Sequence, residues 1–378
     1  MSSIDWNAYR DRFPAVRRWT YLNTAGGGAV SDVVAAAGKQ YFDDFHQDGD
    51  THWPDWRART EAIRALAAAT LNATPREIAF VPTTSHGLNL LAQMLGGPGI
   101  GVLTVAREFP SVTLPWINQG SPVIFLEPAD DGAIDLDGAA RAVTPVTRHL
   151  VISHVQYRTG YRHDLGALRA LCDDNGLTLI VDATQSAGAF PLDVARHRVD
   201  ALVTSAYKWL GAGYGVALLY LRDGLRATLA PPAVGWRSAR VPYDMLYDRL
   251  DLTDEAAVHE LGHPPIPGIV ALGASLGLLR EIGIERIAAR IGALTATLHE
   301  RAGAAGLKIV SSADPAARSG ITMIALDDAE AARAELLRRR IFVSRYGDRL
   351  RISLHFYNDE SDVDRLIDAL LDIAAPGA

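Results

Sequence analysis

Short apolar runs alternate with amphipathic stretches along the first two thirds of the chain. The runs have the length and the branched aliphatic content of buried strands, and they lie at 77–81, 102–105, 123–126, 150–154, 177–181, 201–204 and 216–220. Helical periodicity occupies 31–45, 56–71 and a stretch that ends at residue 95. Strands that alternate with helices indicate an α/β fold with a mostly parallel sheet.

The last third of the chain has a different pattern. Helices are predicted at 269–282, 284–306, 329–340 and from 361 onward, with strands at 307–310, 321–326 and 348–358. These elements are typical of an α+β layer. We therefore predict a large domain at 1–266 and a small C-terminal domain at 267–378. A short helix predicted at 6–18 is free to pack on the small domain.

Composition and charge exclude several classes of protein. The chain has 378 residues, of which 48% are hydrophobic and 21% charged, as in an ordinary globular protein with a large core. Its formal net charge of −7 argues against nucleic acid or an anionic membrane as a partner. No apolar run approaches the roughly 18 residues needed to cross a bilayer, and the first residues lack the apolar core of a signal peptide. We expect a cytoplasmic protein, and the histidines show no metal-ligand spacing.

The single cysteine, Cys172, lies in a helical pattern with Leu165 and Leu168 on the same face. We interpret it as a small buried core residue. No disulfide can form within the chain.

Two chemically active side chains follow neighbouring apolar runs. Asp182 ends the run at 177–181, and Lys208 comes shortly after the run at 201–204. Together they could face one ligand from two sides, as a pyridoxal phosphate site requires. There the amine forms a Schiff base with the aldehyde, and the acid keeps the pyridine nitrogen protonated. Taken alone, Lys208 has the alternative interpretation of a surface lysine.

A second candidate element, PTTSHGLN at 82–89, follows a predicted strand and opens a helix. Hydroxyl groups and free N–H groups at a helix N-terminus make a phosphate cradle. The turn, which ends in Leu-Asn, is also similar to the phosphate-binding turn of the family of pyridoxal phosphate enzymes described below. This resemblance implies that Thr84, Ser85 and His86 are cofactor candidates, with Ser85 and the backbone of His86 favoured. The alternative is that Thr84 or Ser85 caps the helix.

The central residues resemble the class V group of fold-type I pyridoxal phosphate enzymes. This group includes class V aminotransferases, cysteine desulfurases, isopenicillin N epimerase and kynureninase. In it an Asp-x-x-Gln/His pair precedes a Ser-x-His/Tyr-Lys segment, and the matching residues here are Asp182, Gln185, Ser205, Tyr207 and Lys208. The likeness extends from YLNTA at 21–25 to YND at 357–359, nearly the whole chain. It implies a seven-stranded sheet in the large domain.

The resemblance also implies roles for these residues toward pyridoxal 5'-phosphate. Lys208 carries the cofactor, Asp182 stabilises the pyridinium, and Gln185 contacts the phenolic oxygen. Ser205 and Tyr207 join the phosphate site. Phe109, which follows Glu108, matches the family position that stacks on the pyridine ring.

Arg351 lies in LRISLHFYN at 350–358, which matches the family pattern LR-x-S-x-x-x-YN. In the family this arginine grips the α-carboxylate of the substrate in a bidentate fork. The resemblance therefore implies a small amino acid as substrate. The alternative for Arg351 is a strand-edge arginine in a salt bridge.

Two further segments resemble parts of kynureninase that reach the phosphate of the partner subunit. They contribute Trp236, in a Gly-Trp pair, and His263, which replaces a threonine in the Gly-Thr-Pro-Pro-Ile motif. The resemblance therefore implies a homodimer with active sites at the interface.

The type of reaction is not fixed by the fold. We expect an aminotransferase, the generic activity of the group. The alternatives are a kynureninase-like lyase or hydrolase that cleaves a C–C or C–S bond, an amino-acid epimerase, and a noncatalytic regulatory protein that binds pyridoxal phosphate. A cysteine desulfurase needs a nucleophilic cysteine shortly before the C-terminal arginine. Because the segment 338–351 has none, we expect that the protein is not a cysteine desulfurase.

Overall fold

The computed structural model describes residues 4–374. The helices are α1 (Trp6–Arg10), α2 (Ala15–Arg18), α3 (Asp32–Asp48), α4 (Trp53–Leu71), α5 (Thr84–Leu95), α6 (Pro110–Asn118), α7 (Leu136–Ala142), α8 (Leu165–Asn175), α9 (Asp223–Arg226), α10 (Ile266–Ile282), α11 (Ile284–Ala304), α12 (Ala329–Arg338) and α13 (Glu360–Ala374). The strands are β1 (Thr20–Tyr21), β2 (Ile78–Val81), β3 (Gly101–Val105), β4 (Val123–Leu126), β5 (Thr147–Ser153), β6 (Thr178–Asp182), β7 (Ala201–Ser205), β8 (Ala217–Leu221), β9 (Lys308–Ile309), β10 (Ile321–Ala325), β11 (Ile341–Phe342), β12 (Ser344–Tyr346) and β13 (Arg349–Ser353).

Seven strands form the main sheet, in the order β2-β8-β7-β6-β5-β3-β4. The five strands from β7 to β4 are parallel, and β8 runs antiparallel to both of its neighbours. The predicted α/β fold with a mostly parallel seven-stranded sheet is confirmed.

Both faces of the main sheet are covered, which explains why its strands read as continuous apolar runs. Leu150 and Ile152 of β5 join an apolar cluster with residues of α4, α8 and α10. Val151, which points the other way, joins a second cluster with residues of α5 and α6. Cys172 of α8 is buried in the first cluster, as predicted, and burial raises the pKa of its thiol to about 12.

A smaller antiparallel sheet has the order β12-β13-β10-β9. Leu350 and Ile352 of β13 pack into a separate apolar cluster with α11, α12 and α13. Arg351, between them, therefore points to the opposite side of the small sheet. The predicted strand at 348–358 ends at Ser353, because Asn358 turns back and accepts a hydrogen bond from the His355 N–H at 2.9 Å.

The N-terminal segment contacts the C-terminal part of the chain. The Arg10 guanidinium donates to the buried Asp362 carboxylate at 2.7 Å, and β1 pairs with β11. The single helix predicted at 6–18 is wrong: α1 and α2 are separate, and Pro14, which has no N–H to donate, lies at the start of α2.

The predicted domain boundary between 266 and 267 stays a prediction, and its outer limits, 1–3 and 375–378, lie outside the described residues. The boundary between 266 and 267 coincides with the first turn of α10, whose apolar residues belong to the core of the main sheet. Within residues 4–374, no single helix is long and apolar enough to cross a membrane. Only α10 and α11 taken together reach that length, and they are bent by 78°.

Candidate active site

Two predicted residues meet at one edge of the main sheet. Asp182 is the last residue of β6, and Lys208 lies just beyond β7, the parallel neighbour of β6. Both side chains line a cavity of about 250 Å³. The same cavity is lined by six more of the predicted residues: Thr84, Ser85, Phe109, Gln185, Ser205 and Tyr207.

The Lys208 amine is buried, and its Nζ lies 5.7 Å from the centre of the Phe109 ring and 5.5 Å from that of Tyr207. Burial lowers the pKa of Lys208 to about 8. The Asp182 carboxylate opposes this shift, and the Arg351 guanidinium adds to it. At neutral pH roughly a tenth of such amines are uncharged, against fewer than about one in a thousand for an ordinary lysine. An uncharged amine is the form that attacks a carbonyl carbon.

Asp182 is buried beside this amine, and burial raises the pKa of its carboxyl group. Its Oδ1 accepts a hydrogen bond from the Thr184 N–H at 2.8 Å, and the Lys208 charge also favours the ionised form. A cationic group placed in the cavity next to Asp182 would stabilise the carboxylate further.

The hydroxyl-rich end of the cavity lies at the N-terminus of α5. Thr83 caps this helix, since its Oγ1 accepts a hydrogen bond from the His86 N–H at 3.0 Å. The alternative of capping by Thr84 or Ser85 is therefore wrong. Thr84 Oγ1 instead lies 2.7 Å from both Thr184 Oγ1 and Ser205 Oγ. These hydroxyl groups and the helix N-terminus form the kind of cradle that binds phosphate.

His86 is not among the residues that line the cavity, and its predicted contact with the phosphate stays a prediction. Its backbone N–H donates to the cap and is not free for a phosphate, and its side chain lies outside the cavity lining. Burial lowers the pKa of its imidazole, so His86 supplies little positive charge near neutral pH.

Phe109 lies between β3 and α6, with 39% of its surface exposed. Its ring packs edge to face on Tyr157, with the ring centres 5.3 Å apart. This places an aromatic surface at the cavity, and the stacking role of Phe109 stays a prediction.

Glu108, the residue before Phe109, is a buried acid to which the family resemblance assigns no role. Its carboxylate accepts hydrogen bonds from the Ser153 N–H at 2.8 Å, the Ser153 hydroxyl at 2.6 Å and the Phe109 N–H at 3.0 Å. Burial raises the pKa of Glu108 to about 7, against these three hydrogen bonds. Glu108 thus ties the loop after β3 to the end of β5 and positions Phe109. Its position, three residues after the run at 102–105, does not distinguish it from a surface acid.

Gln185 is held by two hydrogen bonds. Its Nε2 donates to the Ala25 carbonyl at 3.0 Å, and its Oε1 accepts from Trp209 Nε1 at 2.8 Å. Ala25 ends the segment YLNTA at 21–25, which is followed by three glycines that end at Gly28. A Cβ atom at Gly28 would lie 2.0 Å from the Lys208 carbonyl oxygen, so only glycine permits this approach.

Arg351 is 2% exposed and lies in the middle of the small sheet, where no carboxylate of residues 4–374 lies within ion-pair distance. Its Nη1 donates to the Tyr157 carbonyl at 3.1 Å, its Nε has no partner, and its Cζ lies 4.8 Å from the centre of the Tyr346 ring. The alternative of an edge-strand salt bridge is wrong. A buried guanidinium without an acid can accept a carboxylate from a ligand.

Trp236 and His263 lie outside the cavity of their own chain. Their rings pack against each other at 5.2 Å, and His263 also packs on Trp53 at 5.1 Å. The predicted contact with the phosphate of a partner subunit stays a prediction.

Comparison with known proteins assigns the family. The model of the class-V aminotransferase family matches residues 20–366. The chain therefore belongs to the class-V aminotransferase family. It is 29% identical to the uncharacterized aminotransferase YcbU of Bacillus subtilis over 96% of both chains. It is also 30% identical to a cysteine desulfurase of Klebsiella pneumoniae, over 74% of this chain and 73% of that protein.

Solved structures share the fold at lower identity. The apo cysteine desulfurase of Thermococcus onnurineus superposes with a TM-score of 0.90 at 23% identity, over 99% of both chains. A lysine-to-alanine mutant of C-DES, with glycine covalently linked to its pyridoxal phosphate cofactor, superposes at 0.89 and 22% identity, over 96% of this chain and 99% of that one.

Pyridoxal 5'-phosphate is the cofactor of this family and of this protein. The cavity fits it, since one enclosure combines an amine of lowered pKa, a buried carboxylate and a hydroxyl-rich helix N-terminus. The protein is thus a pyridoxal phosphate enzyme with the class-V aminotransferase fold.

The exclusion of a cysteine desulfurase is wrong. Relatives with that name align with three quarters of this chain, and structures with that name share its fold. The exclusion depended on one missing thiol in the segment 338–351. The bond-breaking chemistry, however, is supplied by the cofactor, which this chain is equipped to bind.

Proposed function

We propose that the protein is an aminotransferase that acts on the α-amino group of an amino acid. The observation that carries the action on an amino acid is the buried Arg351 guanidinium. It has no acid partner within residues 4–374 and lies close enough to Lys208 to affect its pKa. An α-carboxylate bound by Arg351 would bring the neighbouring amino group toward Lys208.

The remaining residues act on this bound substrate. Lys208 Nζ holds the cofactor between turnovers, and once released it moves the proton at the substrate Cα. Asp182 keeps a proton on the pyridine nitrogen, and Phe109 covers one face of the ring. The bound cofactor withdraws electrons from the bonds at Cα. Because Lys208 has a pKa of about 8, it can both accept and return a proton near neutral pH.

Sulfur release from cysteine or cystine is the second candidate function. It is favoured by the relatives named cysteine desulfurase, one of which is 30% identical to this chain. Cleavage of the C–S bond starts with the same binding by Arg351 and the same proton transfer by Lys208. The two functions differ in the later steps. An aminotransferase retains the amino group and releases a 2-oxo acid, whereas C–S cleavage releases the sulfur.

We also propose that the protein is a homodimer. The loop region at 234–250 exposes Val241, Met245, Tyr247 and Leu250, and Tyr247 is 96% exposed. Such an apolar surface is typical of a protein interface. Trp236 and His263 lie outside the cavity of their own chain. In a dimer they would contact the cavity of the partner subunit.

An absorbance titration tests the aminotransferase proposal. Amino acids are added one at a time to the holoenzyme, and the visible band of the lysine-bound cofactor is followed. For an aminotransferase, one donor converts this band to a stable pyridoxamine phosphate spectrum, and a 2-oxo acid restores it. Recovery of the band without an oxo acid would favour the second candidate and contradict the first, if cysteine then yields either alanine, with sulfide when an added thiol reductant supplies two electrons, or pyruvate, ammonia and sulfide.

A further inference from the structure

The structure also bears on which amino acid fits the site, and this inference depends on the proposed action on amino acids. The substrate carboxylate is assigned to Arg351. The Arg351 guanidinium is bounded by the Tyr157 carbonyl, at 3.1 Å, and by the Tyr346 ring, at 4.8 Å. The rings of Tyr157 and Tyr346 pack edge to face, with their centres 5.7 Å apart. A substrate anchored at Arg351 therefore lies next to two tyrosine rings.

These two rings are part of a larger aromatic surface, which we call the aromatic wall: Phe109, Tyr157, Tyr207, Tyr214 and Tyr346. Tyr157 packs on Phe109 at 5.3 Å, and Tyr207 and Tyr214 stack at 4.4 Å with an angle of 21° between their planes. Four of the five residues line the cavity of Lys208. Tyr214 is 77% exposed and lies opposite Gly27, where an added Cβ would be 3.4 Å from its hydroxyl. A large exposed ring beside a glycine segment offers contact area to a ligand.

The charged residues that line the cavity already have roles toward the cofactor. Among the described residues that line it, only Asp182 and Lys208 carry a charge, and both are assigned to the cofactor. No charged group remains there for the side chain of the substrate. A charged side chain would have to give up its hydration without a compensating partner, whereas an aromatic side chain gains area and ring contacts.

A separate cavity of about 130 Å³ contains three arginines that could bind an acidic side chain: Arg107, Arg158 and Arg349. Asp130 and Asp348 line it as well, and Arg107 pairs with Glu127 at 2.9 Å. Its positive charge is therefore largely compensated. This makes it a weaker candidate for substrate recognition than the aromatic wall.

We propose that the substrate is an amino acid with an uncharged aromatic side chain, which packs against the aromatic wall while Arg351 binds its carboxylate. The geometry separates the two parts of recognition. Arg351 selects for an α-carboxylate. Because Phe109 and Tyr207 are assigned to the cofactor, the rings that select the side chain are Tyr157, Tyr214 and Tyr346.

The test compares L-phenylalanine, L-tyrosine, L-alanine, L-cysteine and L-aspartate on the holoenzyme, with the rate of change of cofactor absorbance as readout. The aromatic amino acids are expected to exceed L-alanine in kcat/KM by about a hundredfold, from ring burial and ring–ring contact together. Tyr214→Ala is expected to lower the ratio of kcat/KM for L-phenylalanine to kcat/KM for L-alanine by about tenfold. Tyr214→Phe should retain the wild-type preference.

Tyr9→Ala is the matched control, because Tyr9 lies on α1 and bonds to Glu281 far from the cavity lining. A faster reaction with L-alanine, L-cysteine or L-aspartate than with either aromatic amino acid would overturn the inference. If the L-aspartate reaction is fastest and Arg158→Ala abolishes it, the arginine cavity is the recognition site instead. In all these outcomes the enzyme still reacts with amino acids. Absence of a spectral change with every amino acid would contradict the proposed function itself.

Discussion

Replacing Arg351 with methionine tests how the substrate is held. Methionine keeps much of the volume and removes the charge. Truncating one partner of a buried, hydrogen-bonded charge pair costs about 3 kcal/mol, which is about a hundredfold in kcat/KM. We expect Arg351→Met to lower kcat/KM for the best amino donor by that factor. Arg351→Lys should recover only part of the loss, since an ammonium cannot form the bidentate contact.

The assay includes a substrate that lacks the carboxylate. For the wild type, the best donor and its decarboxylated amine should differ by about a hundredfold, and Arg351→Met should abolish this difference. Stability provides the control. Arg351 has no acid partner within residues 4–374 and one hydrogen bond shorter than 3.5 Å, to Tyr157. Its removal should therefore leave the melting temperature unchanged or raise it. A variant that still discriminates strongly against the amine would refute the assignment.

Three further predictions follow from burial and exposure. The rate at which the apoenzyme binds pyridoxal phosphate covalently should rise with pH and level off above about pH 8. The reason is that the uncharged amine reacts and that burial lowers the pKa of Lys208 to about 8. A rate that is flat from pH 6 to 9 would contradict this prediction. Burial raises the pKa of Glu108 to about 7, so its contribution to the apoprotein's free energy of unfolding is present at low pH and is lost as the pH rises through about 7. Glu108→Gln should remove that part of the pH dependence in chemical denaturation, and an unchanged profile would show that Glu108 does not titrate there. Finally, Tyr247→Asp combined with Leu250→Asp should shift the protein from dimer to monomer in light scattering, since both side chains are largely exposed in the single chain; a monomeric wild type would refute the dimer.

The parts of this site that sequence predicts well are those governed by local pattern. Asp182 and Lys208 each follow a run of buried residues, and the ends of adjacent parallel strands necessarily meet. Thr84 and Ser85 sit at a strand-to-helix turn, whose free N–H groups follow from helix geometry. Local pattern was therefore enough to place each of these four side chains at the end of a strand, and the family resemblance implied that they share one cavity.

The parts that sequence missed depend on contacts between distant segments. Glu108 is bonded to Ser153 across 45 positions of the chain, and nothing local distinguishes it from a surface acid. Tyr346 reaches the cavity region through its ring contact with Tyr157, a residue 189 positions earlier in the chain. The cap at Thr83 was assigned one or two residues too late, because three consecutive hydroxyl residues offer equivalent capping groups.

The exclusion of a desulfurase failed for another reason. It treated the absence of one side chain as decisive for a reaction whose bond cleavage is driven by the cofactor. Residues that are present, such as Arg351 and Lys208, carry more information about function here than a residue that is missing.

The central claim is that Lys208 holds the cofactor, and the chain allows a direct test because it has only three lysines. The other two, Lys39 and Lys308, are exposed on a helix and on a short strand. Borohydride reduction of the holoenzyme, followed by proteolysis and mass spectrometry, should place the pyridoxyl group on the peptide that contains Lys208, and Lys208→Ala should remove both the label and the visible absorbance band. A label on Lys39 or Lys308, or a visible band that survives in Lys208→Ala, would contradict the account.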